Sequence, residues 1–237
     1  MLLCGKNTKN INNSHFDNII TIYKELNKHK FEIYNLEKKH MTENSYSIYG
    51  DKFPEMKKVL QEMEDRISEI RDRLTAETGM DPVEHYLARI KSDESMREKC
   101  RRMGLPETEQ SALNEIFDAI GIRIVCAFLD DVYTIRDYLS SMDGYKIIRE
   151  KDYIKNAKPN GYRSYHMILQ SETGFYCEIQ LRTISMDTWA ALEHHMKYKK
   201  SITGNIELIS SELKRCADEL ASTDISMQAI KKLILLS

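Results

Sequence analysis

Four stretches of this sequence hold residue types that can bind phosphate, hold a cation or move a proton. Residues 89–102 carry six basic and three acidic side chains. If the part after Ser92 is helical and stops at Gly104, then Ser95, Lys99 and Arg102 share one face. If the part before Ser92 is extended, Arg89 and Lys91 share one side. Together they could form a cationic site for a polyphosphate, because ammonium and guanidinium groups donate charged hydrogen bonds to phosphate oxygens. A solvated charged helix is the plain alternative. In the second stretch, Asp118 stands at the entrance to an apolar strand and Arg123 lies inside it. Burying both is costly unless each is paired. A cation on Asp118 and a nucleotide held or stacked by Arg123 would offset that cost, and so would a direct Asp118–Arg123 ion pair.

The third stretch, residues 151–166, places Lys158, Pro159, Asn160 and Gly161 in a loop, with Tyr162 immediately after the glycine and His166 beyond. Such a loop can put a lysine on phosphate and an aromatic ring flat on a base, or be an ordinary turn with a packed tyrosine. The fourth stretch, residues 175–182, alternates. Phe175, Cys177, Ile179 and Leu181 point one way, and Tyr176, Glu178, Gln180 and Arg182 the other. One sheet face then presents a carboxylate, an amide and a guanidinium in a row. Glu178 could bind a metal or accept a hydroxyl proton, and Arg182 could hold phosphate; an exposed sheet face with no further role has the same pattern. Trp189, Glu193 and Tyr198 fall on a following helix, with Glu193 near enough to line the same cleft. The adjacent His194 and His195 lack metal-ligand spacing, which argues against zinc.

The elements that must position these residues are partly legible. Residues 1–15 read as frayed, 16–40 as an amphipathic helix, and 44–54 as a linker. Met56, Val59, Leu60, Met63, Ile67, Ile70 and Leu74 mark one face of a helix that Gly79 would stop. Residues 121–129 are apolar on both alternating faces, as in a covered strand. A helix is predicted over 132–139, short strands over 145–148 and 164–169, and a helix over 187–200. Two C-terminal helices, 206–220 and 225–236, complete the pattern. Central strands with helices before and after predict an α+β fold, a mixed β-sheet flanked by helices.

Composition narrows the classes. The 237 residues are 41% hydrophobic and 30% charged, with 9 Gly and 4 Pro. A mean hydropathy of -0.53 and the lack of a long uncharged apolar run exclude a membrane-spanning helix. The first residues turn polar too soon for a secretory signal. A net charge of -2 gives no global basic field for nucleic acid, so anionic ligands must rely on local clusters. Five dispersed cysteines without a paired motif read as reduced thiols, and a cytoplasmic protein is expected.

Taken in order, the four stretches resemble the nucleotide pyrophosphokinase domain of the RelA/SpoT family, most of all its single-domain small alarmone synthetases. The resemblance runs over about 55–200 and rests on DAIGIRIVCAFLDDVY, DYIKNAKPNGYRSYH, CEIQLRT and WAALEHHMKYK. It implies a nucleotidyltransferase-like sheet and transfer of the β,γ-pyrophosphate of ATP to the ribose 3′-hydroxyl of GDP or GTP, with release of AMP. It also implies a role for each matching residue. Arg89, Lys91, Ser95, Lys99 and Arg123 would bind ATP, with Arg123 packed on adenine. Asp118 and Glu178 would hold Mg2+, and Glu178 would also be the base for the 3′-hydroxyl. Lys158, Asn160, Tyr162, His166, Gln180 and Arg182 would bind the guanosine acceptor, with Tyr162 stacked on guanine and Glu193 as support. Asp187 stays open between a contact to the guanine edge and a helix N-cap.

The same resemblance implies a homo-oligomer, commonly a tetramer, and a division into an extension (1–50), a synthetase domain (51–204) and C-terminal helices (205–237). The Leu-rich end could form a subunit interface or cover the sheet. Residues 1–50 match no family segment. The absence of a His-Asp dipeptide predicts that the family's metal-dependent hydrolase domain is lacking. Two other readings remain. One is a toxic relative that pyrophosphorylates the 3′ end of tRNA or makes adenosine alarmones; only the tRNA acceptor would bring in nucleic acid. The other is a non-catalytic nucleotide-binding regulator, which would not need a pair of metal-binding carboxylates.

Overall fold

The computed structural model describes residues 47–198 and 205–236. The segments read as frayed (1–15) and helical (16–40) lie outside those residues, as does the end of the helix expected over 187–200. Five strands form one mixed sheet: β1 (Val83–Ile90), β2 (Ile120–Cys126), β3 (Tyr145–Asp152), β4 (Tyr165–Ser171) and β5 (Tyr176–Thr183). Their order is β1-β2-β5-β4-β3, with β2 and β5 parallel and every other pair antiparallel. Among the described residues five α-helices flank it: α1 (Phe53–Thr78), α2 (Asp93–Met103), α3 (Leu129–Ser140), α4 (Ile184–Tyr198) and α5 (Ile206–Leu235).

α1 forms where its apolar stripe predicts it. Pro54 sits in the first turn, where a missing N–H costs nothing, and Met56, Val59, Met63, Ile67 and Leu74 are buried. They meet Val132, Ile135 and Leu139 of α3 and one face of the sheet, including Ile120, Ile122, Ile124, Met167, Leu169, Cys177, Ile179 and Leu181. Each such side chain contributes about 1.5–3 kcal/mol on burial. The other face of β2, β4 and β5 carries most of their polar groups, as the alternation of 175–182 predicts, with Val125 and Ile168 among them.

Several boundaries differ from expectation, each for a local reason. Residues 47–54 are no linker. Ile48 and Tyr49 are core residues, and Tyr49 donates from its hydroxyl to the Lys91 carbonyl (2.7 Å). The strand expected to reach 129 stops at Cys126, because the Asp131 carboxylate accepts from the Phe128 N–H (3.0 Å) and starts α3 early. β3 extends to Asp152 through a bulge between Ile147 and Arg149. The largest correction is at the C-terminus, where α5 is one helix of 30 residues and not two. The hydroxyls of Ser222, Thr223 and Ser226 donate back to carbonyls four residues earlier and do not cap a new helix. Asp224 is turned inward to accept from the Thr183 hydroxyl (2.6 Å).

Candidate active site

β1, which the apolar alternation of Tyr86, Ala88 and Ile90 could have revealed, pairs with β2 so that Arg89 lies opposite Gly121 and Leu87 opposite Arg123. Across β2, Gly121 faces Glu178 and Arg123 faces Gln180 on β5. On β4, Ile168 and His166 continue the two rows, and on β3 Arg149 and Lys151 end them. One sheet face therefore carries Arg89, Arg123, Glu178, Gln180, His166, Arg149 and Lys151. A Cβ on Gly121 would meet nothing within 4 Å, so open space lies between Arg89 and Glu178.

At the β1 end, Ser92 caps α2 by accepting from the Ser95 N–H (3.3 Å), and the helix stops at Gly104 as its sequence predicts. Ser95 meets the Ser92 hydroxyl (2.9 Å) one turn ahead of Lys99. Met96 and Cys100 bury the inner face of α2, which leaves Lys99 to reach Asp118 (2.6 Å). Lys91 reaches the same Asp118 oxygen, Oδ2, at 3.1 Å. The alternative Asp118–Arg123 ion pair is not formed, because two nearer ammonium groups take the carboxylate. Burial alone would push the Asp118 carboxyl up, but Lys99 and Lys91 outweigh it and hold it below the usual carboxylate range. Its other oxygen, Oδ1, is buried and has no hydrogen-bond partner.

At the β4 end, the predicted acceptor residues form one connected network. Glu193 on α4 accepts from Asn160 (3.2 Å), and Asn160 in turn accepts from the Tyr162 N–H (3.2 Å). The buried Arg182 donates to the Tyr162 hydroxyl (2.8 Å), to Gln180 (2.9 Å) and to Asp187 (3.0 Å). The Tyr162 hydroxyl also lies 2.8 Å from His166 Nε2, and the other ring nitrogen is Nδ1. That nitrogen faces Glu178 Oε1 at 3.9 Å, and Gln180 donates to Glu178 Oε2 (3.1 Å). Burial first, then the Arg182, Lys158 and Lys151 cations, pushes the His166 imidazole down to about 4, so it is neutral at pH 7. Lys158 lies over the rings of Tyr153 (4.7 Å) and Tyr162 (4.8 Å).

Asp187 is not an N-cap. α4 starts at Ile184, the Thr183 hydroxyl accepts from the Met186 N–H, and Asp187 pairs with Arg182 and with Arg123 (3.4 Å). Burial, then the like charge of Arg182, lowers the Arg123 pKa. Arg149, Lys151 and Tyr153 also border the site, with no role given to them above. The alternation of 149–152 carried the signal for the first two, but reading β3 only to residue 148 hid it.

The pattern described as "Region found in RelA / SpoT proteins" matches residues 88–203. GTP pyrophosphokinase YwaC of Bacillus subtilis (strain 168) is 38% identical over 162 residues, which take in 65% of this chain and 76% of YwaC. The chain belongs to the RelA/SpoT family. GTP pyrophosphokinase YjbM of the same organism is 32% identical over 183 residues, 74% of this chain and 84% of YjbM. In shape, this RelA/SpoT member is similar to small alarmone synthetase 1 of Bacillus subtilis bound to its product pppGpp. The TM-score is 0.65 at 29% identity, covering 76% of this chain and 94% of that one. That likeness includes the mixed five-stranded sheet and its flanking helices.

Asp118 and Glu178 each offer carboxylate oxygen to a divalent cation. Asp118 Oδ1 is a buried acceptor without a donor, and Glu178 adds a second carboxylate. Among the described residues no group of three or more His, Cys, Asp and Glu side chains could enclose a metal. An ion that keeps its waters and takes one or two carboxylates plus substrate phosphates suits such a site.

Proposed function

We propose that this chain transfers the β,γ-pyrophosphate of ATP to the ribose 3′-hydroxyl of GDP or GTP, making (p)ppGpp and releasing AMP. The observation that carries the reading is the single sheet face on which Glu178 stands between two cationic ends. Lys91, Lys99 and Arg89 crowd one end; Lys158 and Arg182 stand at the other, beside the neutral His166. Transfer of this kind needs positioning and charge neutralisation more than covalent help.

On this reading Arg89, Lys91, Ser95, Lys99 and Arg123 bind ATP. Lys158, Asn160, Tyr162, His166, Gln180 and Arg182 bind the guanosine nucleotide, with Glu193 supporting Asn160. Glu178 accepts the 3′-hydroxyl proton while Gln180 occupies its second oxygen. The nucleophilic oxygen then bonds to the β-phosphorus, and the bond to the α-phosphate oxygen breaks as AMP leaves. Tyr162 stacks on guanine, and as the base arrives Lys158 leaves the ring for phosphate. Asp118 and Glu178 hold Mg2+, which when bound would neutralise charge on the transferred phosphates. Arg149 and Lys151 add positive charge on the acceptor side.

We assign the chemistry to residues 51–204, the flanking segments being 1–50 and 205–237, and the protein to the cytoplasm, where its substrates are. None of the helices among the described residues is long and apolar enough to cross a membrane. We assign it further as a homo-oligomer, a tetramer by family likeness. Met227, Ile230, Leu233, Ile234, Leu235 and Leu236 of the C-terminal end stand exposed and do not cover the sheet. Product analysis tests the function. Purified protein, magnesium and ATP are mixed with GDP, GTP, deacylated tRNA or no acceptor. A guanosine 3′-pyrophosphate with AMP released is the expected result; labelled tRNA, an adenosine product or no AMP at all would overturn it.

A further inference from the structure

The acceptor loop, residues 158–163, is held from outside as well as from within. Its internal backbone bonds are two, Gly161 N–H to Lys158 O (2.8 Å) and Lys158 N–H to Tyr162 O (3.1 Å). Its apex is pressed onto α5: a Cβ on Gly161 would lie 2.6 Å from the Ala217 Cβ and 3.3 Å from the Lys214 Cα. Gly161 also has φ +92, where a side chain is strained in any case. The side chain joining loop to helix is Arg163. One of its nitrogens, Nη1, donates to the carbonyls of Gly161 and Ala217 (3.2 Å each), and the other, Nη2, donates to the Asp218 carboxylate (2.8 Å). Asp218 is fixed in turn by Lys214 (2.8 Å), one turn back on the same helix.

We propose that Arg163 is a positioning residue that fastens the acceptor loop to α5, so that the backbone carrying Lys158 and Tyr162 is already placed when the guanosine nucleotide arrives. Arg163 points away from the polar sheet face toward α5 and touches neither Glu178 nor Asp118, so its effect is confined to one substrate. A loop ordered beforehand loses less conformational entropy on binding. The three donated bonds come from one planar guanidinium, and a lysine could reproduce only some of them. This inference rests on the acceptor role given to the loop above.

Trp189 is the single tryptophan of the chain, and its ring lies 6.5 Å from that of Tyr162, so its fluorescence reports GDP binding without turnover. Arg163→Ala should raise the Kd and KM for GDP about tenfold, the scale of a lost charge-assisted bond, while KM for ATP and kcat at saturating GDP stay near wild type. Arg163→Lys should recover part of that loss. Asp218→Asn, on the outer side of α5, should weaken GDP alone, by about threefold, without lowering Tm. Unchanged GDP affinity in Arg163→Ala would overturn the clamp. So would equal losses for GDP and ATP together with a lower Tm and no recovery in Arg163→Lys, since that pattern marks a merely structural residue. A wild-type protein that bound GDP but made no product would sink the proposed function and leave the clamp standing.

Discussion

Glu178 has one carboxylate oxygen occupied by Gln180 and the other turned toward a histidine that stays neutral. As the proposed base, Glu178 is separable from binding. Glu178→Gln should therefore bind both nucleotides yet lose about 10²–10⁴ in kcat, and near-normal turnover would remove it as the base. His166 gives a second, independent test. Its imidazole stays neutral in the folded chain down to about 4, whereas the unfolded chain takes up that proton near 6.5. Between those values the unfolded state binds more protons, so stability rises with pH across the window and the contribution levels off above it. His166→Gln should take up to about 1.4 kcal/mol per pH unit off that slope in urea titrations, and identical slopes would mean that the imidazole is not held neutral.

At the scale of elements, the outer helices matter as much as the sheet. Lys231 of α5 is buried between Asp130 and Asp131 of α3 (2.8 and 2.6 Å), and Gln228 donates to Asp130 beside it. Lys231→Met would leave buried negative charge without a partner. Denaturant unfolding should show a loss of about 3 kcal/mol, part of it restored by Asp131→Asn in the same chain. What the sequence disclosed follows from period and charge. The stripe of α1 and the alternation of β5 were plain because each buries one face only. The row Glu178, Gln180, Arg182 and the loop residues Lys158, Asn160 and Tyr162 stood out by type and order, and the structure brings them into one network. The pairing partners were hidden. Asp118 lies 19 residues from Lys99 and Asp187 lies 64 from Arg123, and nothing local marks either contact. The unity of α5 was hidden too, because Ser222, Thr223 and Asp224 have the composition of a helix break and only their partners show otherwise.

For the whole molecule, α5 leaves apolar side chains in water over its last turns while its middle packs against the 158–163 loop. If a second copy covers that end, the wild type should sediment as a multiple of 27.8 kDa. Ile230→Glu combined with Leu233→Glu should shift it to a smaller species without touching the sheet face, and an unchanged sedimentation coefficient would exclude this surface.

Gly121 shows what the sheet gives up. A glycine inside a strand costs about 0.5–1 kcal/mol relative to alanine, and here no neighbouring atom requires one. The space beside Glu178 is open, and packing alone does not account for the glycine. Robustness and activity pull in opposite directions at this position. Gly121→Ala should melt higher than the wild type and work worse, so selection for thermal stability alone would drive the protein toward a sturdier, slower form.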